Sequence, residues 1–372
     1  MANTAAARDD DHKIVGIELI RFACALAVLV FHYQHFAFVG ATAVHFEPQS
    51  QPFYSLLQLF YVNGFYGVQI FWCISGFIFF WKYGARIAQR RIDGYKFLVL
   101  RISRLYPLHL LTLLFMASMQ TVYLAKVGTY YVYQDNDAYH FILQLFLASN
   151  WVLIPESFNG PIWSISVEVL VYAIFFLSLR YISGSITLLV SLAAAAAAVQ
   201  ILKISTNPVF SCLMFFYLGC LTAVAYLRLR PSVRGSQLAS LIAAAAVVGM
   251  TVAGLYLPIK AKYFLAVVSP ALIYLCVRHI RATPFNSSWL VPAGNMTYSS
   301  YLLHVPLQIA TVTICAYAGI TLPLYSPVMF LTYMAVILLL SAASYRYVEM
   351  PAQEWLRKRL IRQTRAVAQA PI

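Results

Sequence analysis

Charge is what this chain has least of. Only 10% of its 372 residues are Asp, Glu, Lys or Arg, and acidic residues are scarcer still, 12 against 26 Lys and Arg. With 62% hydrophobic residues, so little polar surface cannot cover a soluble core, which excludes a soluble globular domain and makes the chain an all-α polytopic membrane protein. The excess of basic residues gives +14, which in a soluble protein would suggest nucleic acid. Here the Lys and Arg cluster in short loops and near the C-terminus, the positive-inside pattern, so membrane lipids and not nucleic acid are the expected anionic partners. Cysteine is also sparse: Cys24, Cys73, Cys212, Cys220, Cys276 and Cys315 all lie in apolar stretches without metal-ligand spacing. They read as small packing residues, and no metal is expected. The polar residues 1–13 carry no cleavable-signal pattern, so the first apolar stretch is expected to persist as a span.

The positions of Lys and Arg set the topology. The first span, Ile14 to Val39, runs outward to a loop without Lys or Arg, and Tyr54 to Phe80 returns. Lys82, Arg86, Arg90, Arg91, Lys96, Arg101 and Arg104 form the densest basic run and belong in the cytoplasm. Leu105 to Lys126 goes out again. Tyr139 to Ile154 looks apolar but is short and holds His140, Gln144, Ser149 and Asn150. If it crossed, Arg228, Arg230, Arg234, Arg278 and Arg281 would all lie outside. A re-entrant or interfacial segment resolves this, and Asn150 to Pro161 is then expected to line a site, since irregular backbone at that depth needs protein or water against it. Spans near 162–179, 184–202, 209–227, 236–257, 263–277, 296–318 and 326–345 bring the total to about ten transmembrane helices, with both termini cytoplasmic. The division is a tail at 1–13, a single transmembrane domain at 14–346 and a basic tail at 347–372, whose Arg357 to Arg365 stretch reads as a membrane-surface anchor.

Three constellations carry chemistry. Arg21 and His32 sit eleven residues apart, about three helical turns and roughly 16 Å, on one face of the first span. Arg21 can snorkel to headgroups, whereas His32 cannot, and an intramembrane ionisable group marks a functional path. Glu168 is the one acidic residue expected well inside a span; Glu18 falls near a helix end. At similar depth, Glu168 and His32 could form a carboxylate–imidazole pair suited to removing a proton from a hydroxyl. The plainer alternative for Glu168 is a protonated packing contact. Arg101 and Arg104, one turn apart, could clamp a phosphate or simply meet headgroups. His304, in a helix interrupted by Pro306, lines the cavity or packs in the core; His35 is expected to meet external water.

In order and spacing these residues resemble the acyltransferase-3 family. The resemblance rests on Arg21 and His32, Phe71-Trp72-Cys73-Ile74-Ser75-Gly76-Phe77, Arg101-Ile102-Ser103-Arg104, Pro161-Ile162-Trp163-Ser164-Ile165-Ser166-Val167-Glu168, Tyr298 to Leu307 with Tyr301 and His304, and the closing Tyr345 to Pro351. It implies a bacterial inner-membrane enzyme that transfers an acyl group, usually acetyl from cytoplasmic acetyl-CoA, to a hydroxyl of an exopolysaccharide, O-antigen, lipo-oligosaccharide or related glycan. On this resemblance His32 is the base or acyl carrier, with Arg21 and Glu168 as its catalytic companions. Arg101, Arg104, Ser75 and Gly76 serve the CoA donor, which His109 helps to seat, and Trp163, Ser164 and Ser166 line the acceptor side with Glu168; Asn150, in the re-entrant segment, and Tyr301 and His304, at helical spacing, are expected beside them. Where many relatives have two adjacent acidic residues this chain has Glu168-Val169, so one acid must suffice. Some relatives carry a fused esterase-like domain; here a basic tail follows instead, so a second transfer would need a separate partner. The rival class is a transporter or flippase, which would also carry Arg, His and Glu at mid-depth, but no pseudo-repeat relates the two halves.

Overall fold

A computed structural model describes residues 14–182 and 184–367, so the first tail, residues 1–13, and the last five residues lie outside the described residues. The helices are α1 (Val15–His32), α2 (Tyr54–Asn63), α3 (Gly67–Phe79), α4 (Ala85–Ala88), α5 (Gly94–Val127), α6 (Ala138–Leu145), α7 (Ile162–Leu177) and α8 (Ile186–Ile201), then α9 (Pro208–Leu229), α10 (Val233–Tyr256), α11 (Ala261–His279), α12 (Pro284–Asn295), α13 (Thr297–Ala318), α14 (Pro327–Ser344) and α15 (Met350–Val367). Two-residue strands β1 (Phe38–Val39) and β2 (Thr42–Ala43) pair antiparallel after α1. Among the described residues nine helical stretches are long and apolar enough to cross a membrane, and α8, with 16 residues, is a shorter apolar helix beside them. The protein is an all-α, multi-pass membrane protein.

Several boundaries depart from the expected spans. The second span is interrupted by a 3-10 turn at Gly64–Tyr66 and a π-turn at Phe80–Gly84. α5 starts at Gly94, where the Asp93 carboxylate accepts from the Lys96 N–H at 2.7 Å, and its 34 residues make a helix about 51 Å long. Arg101 and Arg104 therefore sit within a continuous helix, about two and three turns past its start. α6 has only eight residues, about 12 Å of helix against a hydrocarbon core of ~30 Å, and irregular backbone follows it to Pro161. After residue 346 the basic tail is helical: a π-turn at Tyr345–Glu349 leads directly into α15.

The chain forms two compact units. One contains residues up to 24, 66–91 and 171–295. Its centre is the packing of α3 on α9, where a Cβ on Gly76 would lie 1.8 Å from the Phe216 carbonyl oxygen and one on Gly219 would lie 1.9 Å from that of Cys73. Only glycine permits such backbone contact, the usual device where helices pack without a hydrophobic driving force. Trp72, Phe77, Phe175, Phe215 and Phe216 fill the space around it, and Phe79 stacks on Tyr172 at 4.1 Å. Cys73, Cys212 and Cys220 are buried thiols in this packing.

The other unit contains residues 25–65, 92–170 and 296–372. In it α13 packs on α5 and α14, and α15 lies along α5, held by Arg357 Nε donating to Ser103 Oγ at 3.2 Å. One apolar cluster joins Leu113, Met116, Tyr123, Tyr131, Phe158, Val305 and Ile309; a second joins Val30, Tyr33, Phe36, Tyr61, Phe330 and Tyr333.

Candidate active site

Past His32, α1 tightens into a 3-10 turn, Tyr33–Ala37. Three residues per turn bring His35 onto the face of His32, and their ring centroids lie 4.9 Å apart. The His32 Nδ1–H donates to the Val28 carbonyl at 2.9 Å. A carbonyl can only accept, so the proton is on Nδ1 and Nε2 carries the lone pair. The His32 backbone carbonyl accepts from Gln308 Nε2 at 2.7 Å, fixing the end of α1 to α13.

His304 approaches from α13, its ring centroid 4.8 Å from that of His32. Its Nδ1–H donates to the Ser300 carbonyl at 3.2 Å, and its Nε2 is buried without a hydrogen-bond partner. Three histidines thus share one pocket. His35 is buried, not facing external water: its Nδ1 is enclosed, and its carbonyl accepts from the Tyr131 hydroxyl at 3.0 Å. The i, i+3 spacing of His32 and His35 was the available signal for that contact. The approach of His304, 272 positions further on, had none.

The segment after α6 is built from side-chain bonds to backbone, because it cannot satisfy itself. Pro306 has no N–H, so the Leu302 carbonyl four residues back loses its helical donor, and Asn159 Nδ2 supplies one at 3.1 Å. Fully buried His109 donates from Nε2 to the Gln144 carbonyl at 2.8 Å; this histidine anchors the segment. Gln144 Nε2 donates to Ser157, Asn150 N–H to Ser166 Oγ at 3.1 Å, and Trp151 Nε1–H to the Ser166 carbonyl at 2.8 Å. The Oδ1 atoms of Asn150 and Asn159 stay buried without partners. At the start of α7 the Ser164 hydroxyl meets that of Tyr301 at 2.7 Å, and the Tyr301 ring is 5.9 Å from His304. Trp163 and Glu168 are partly buried, and Glu168 lies within electrostatic reach of Tyr298 and Tyr301. Tyr301 in turn lies beside His304, so Glu168 and the histidines border the same group of side chains.

Glu168 is not the only acid inside. Glu18 is buried and accepts from Arg21 Nη1 at 2.9 Å, one turn along α1, so Arg21 carries an acidic partner on its own helix. Buried Glu349 accepts from Ser299 and Ser344, with Arg104 and Tyr298 in electrostatic reach. Position near a helix end hid Glu18, and position in the basic tail hid Glu349. Arg101 is buried with its guanidinium over Phe97, 5.9 Å from the ring centre, while Arg104 is exposed. Ser75 is partly buried beside Gly76, whose carbonyl accepts from Cys220 Sγ at 3.4 Å; both belong to the first unit.

Compared with known families, residues 14–346 of the 372 match the model described as an acyltransferase domain, that of the acyltransferase-3 family. The chain belongs to the acyltransferase-3 family. No curated protein and no solved structure matches this acyltransferase. The matched stretch begins one residue before α1 and ends inside the turn that leads into α15, so it takes in both units and every residue of the histidine pocket.

Proposed function

We propose that this acyltransferase moves an acyl group, acetyl first among candidates, from cytoplasmic acyl-CoA to a hydroxyl of a cell-envelope or secreted glycan, in the cytoplasmic membrane of a bacterium. The observation that carries the reading is the hydrogen bond from His32 Nδ1–H to Val28. It leaves Nε2 as an acceptor on a helix end that Gln308 holds still, the arrangement a general base needs. His32 Nε2 takes the hydroxyl proton while the oxygen attacks the thioester carbonyl. Hydroxyl donors at Ser164 and Tyr301 are suited to the oxyanion that develops. A covalent acyl-His32 intermediate is the variant of the same chemistry.

In this reading Arg101 and Arg104 take the CoA phosphates, Arg104 being the exposed member of the pair, and Ser75 with Gly76 sits on the donor path. Asn150, Trp163, Ser166, His304 and Tyr301 border the acceptor, with Glu168 and Arg21 as supporting charges. The unsatisfied Oδ1 atoms of Asn150 and Asn159 support a hydroxyl-rich acceptor, which supplies the donors they need. Inverted membrane vesicles given labelled acetyl-CoA and endogenous glycan test the proposal. Label in the glycan with stoichiometric free CoA is expected. Glycan movement with no thioester cleavage, longer acyl-CoA included, would make the protein a carrier.

A further inference from the structure

We infer that Arg180, at the end of α7, is the centre of an anion site in the first unit that takes a phosphate ester, carried by a nucleotide such as coenzyme A or by a lipid headgroup. The inference goes beyond the histidine pocket and does not rest on its chemistry. Arg180 lies in the π-turn Ser178–Ile182. Its Nη1 is enclosed by protein without a hydrogen-bond partner, and among the described residues no carboxylate or aromatic ring meets its guanidinium. The residue as a whole is only partly buried, so a ligand can reach the group from outside. A snorkelling arginine ends with its terminal nitrogens in the headgroup layer, whereas this one closes a terminal nitrogen inside. A buried charged donor left unpaired is costly, and such a group calls for an occupant. Water alone would leave the charge uncompensated.

The first unit has no carboxylate to offer in its place. Residues 66–91 and 171–295 contain no Asp or Glu, and Glu18, the remaining acid among the unit's described residues, is paired with Arg21. Asp93, just beyond the unit in sequence, caps α5 through the Lys96 N–H. The segments beside Arg180 add positive charge instead. The π-turn packs on α4, and a Cβ on Gly184 would sit 3.4 Å from that of Ala88. α4 and the residues flanking it carry Lys82, Arg86, Arg90 and Arg91. Lys82 is the middle residue of a second π-turn, Phe80–Gly84, and Phe79 just ahead of that turn stacks on Tyr172 of α7. Two neighbouring helices thus widen at one level, each around a basic residue, and π-turns recur at functional sites. The Ser178 hydroxyl is engaged with the Phe175 carbonyl and the Tyr217 hydroxyl.

A phosphate ester answers this set of groups. Its oxygens accept from the planar guanidinium fork two at a time, and its charge is opposite to that of every ionisable side chain at this end of the unit. The unbalanced positive field also concentrates such an anion before any contact is made. Nucleotide and lipid phosphates share this chemistry, and the experiment separates them.

The test measures Tm of the delipidated full chain in phosphate-free maltoside detergent, alone, with free coenzyme A, or with phosphatidylglycerol. It compares the intact protein with Arg180→Met, Arg180→Lys and Lys203→Gln, the last removing an exposed cation just past the far end of α8. Without ligand Arg180→Met is expected to melt at or above the intact protein, because methionine keeps an aliphatic stem and removes an unpaired buried charge. Ligand should reverse that order: Tm of the intact protein rises to saturation, and Arg180→Met needs about tenfold or more ligand for the same rise. Arg180→Lys, which keeps the charge and loses the fork, should fall between them, and Lys203→Gln should follow the intact protein. A rise with coenzyme A alone assigns the site to a nucleotide, and a rise with phosphatidylglycerol alone assigns it to a lipid. Arg180→Gln replaces the methionine variant if that protein does not accumulate. Equal ligand-induced shifts with and without Arg180, an equal loss of shift in Lys203→Gln, or no shift with either ligand overturns the inference. His32→Ala should keep the shift, so a failure of the transfer chemistry leaves this result standing.

Discussion

Gly294→Ala examines the buried ion pair of the first unit through the residue that makes room for it. A Cβ at position 294 would lie 1.8 Å from Glu18 Oε2 and 2.8 Å from both Cβ and Cδ of Glu18. Rotating the carboxylate relieves the first contact but not the contact with Glu18 Cβ, so the whole side chain must swing away from α12. That motion opens the 2.9 Å pair with Arg21, whose side chain is 12% exposed against 7% for Glu18. Breaking a buried ion pair costs about 3–5 kcal/mol, because the charges that remain are poorly solvated. At roughly 2 °C per kcal/mol for a chain of this size, Tm falls by about 6–10 °C. Gly249→Ala is the control: mid-way along α10, with nothing within 4 Å of its Cβ, it stabilises by about 0.5–1 kcal/mol through helix propensity alone. Thermal unfolding in detergent distinguishes the two. Combining Gly294→Ala with Glu18→Ala should cost less than the sum of the single changes, because both act on one pair. A Gly294→Ala protein that melts with or above the Gly249→Ala protein would refute the reasoning.

Further outcomes follow from other contacts. Asp137, exposed between α5 and α6, accepts from the backbone N–H and the ring Nδ1 of His140 at 2.9 and 2.8 Å, and these bonds hold its carboxyl below the usual carboxylate value. Because the folded value lies below the unfolded one, the stabilisation of α6 is present above the ordinary carboxylate range and is lost as pH falls through the depressed value. Proteolysis between residues 128 and 161 should therefore accelerate on acidification, and Asp137→Asn should remove that dependence. Asn159→Ala strips the Leu302 carbonyl of its replacement donor beside Pro306 and should cost about 1–3 kcal/mol, read as a lower Tm. Tyr301→Phe removes the hydroxyl shared with Ser164 and should lower the transfer rate with little change in Tm, since one net hydrogen bond is worth about 1 kcal/mol; an unchanged rate would take Tyr301 out of the reaction.

Much of the architecture was legible because hydropathy and length are local properties. The ten apolar segments, the exclusion of 139–160 from the spanning set and the placement of His32 inside α1 all follow from runs of residues and their spacing. Breaks within a segment were less visible: the turn at Gly64–Tyr66 forms where α2 meets α1, and nothing in its own composition marks that neighbour. The polar interior was half legible. Ser164 and Ser166 were marked by the family resemblance, and Asn150 and Tyr301 by segment and spacing, but their partners lie up to 137 positions away. Glu18 was placed near a helix end and Glu349 in the basic tail, because burial of an acid is a tertiary fact, supplied here by Arg21 and by Ser299 and Ser344. The pairing of His32 with His304 belongs to the same class, since it depends on how α13 crosses α1.

The measurement that bears most directly on the account is release of free CoA from acetyl-CoA, counted together with label in glycan, by purified protein and by its His32→Ala variant under matched loading. Thioester cleavage coupled to glycan labelling in the intact protein, and loss of both in a variant that keeps its Tm, is the predicted result. Full transfer by His32→Ala would contradict the account, because the proton would then be taken by a group other than His32.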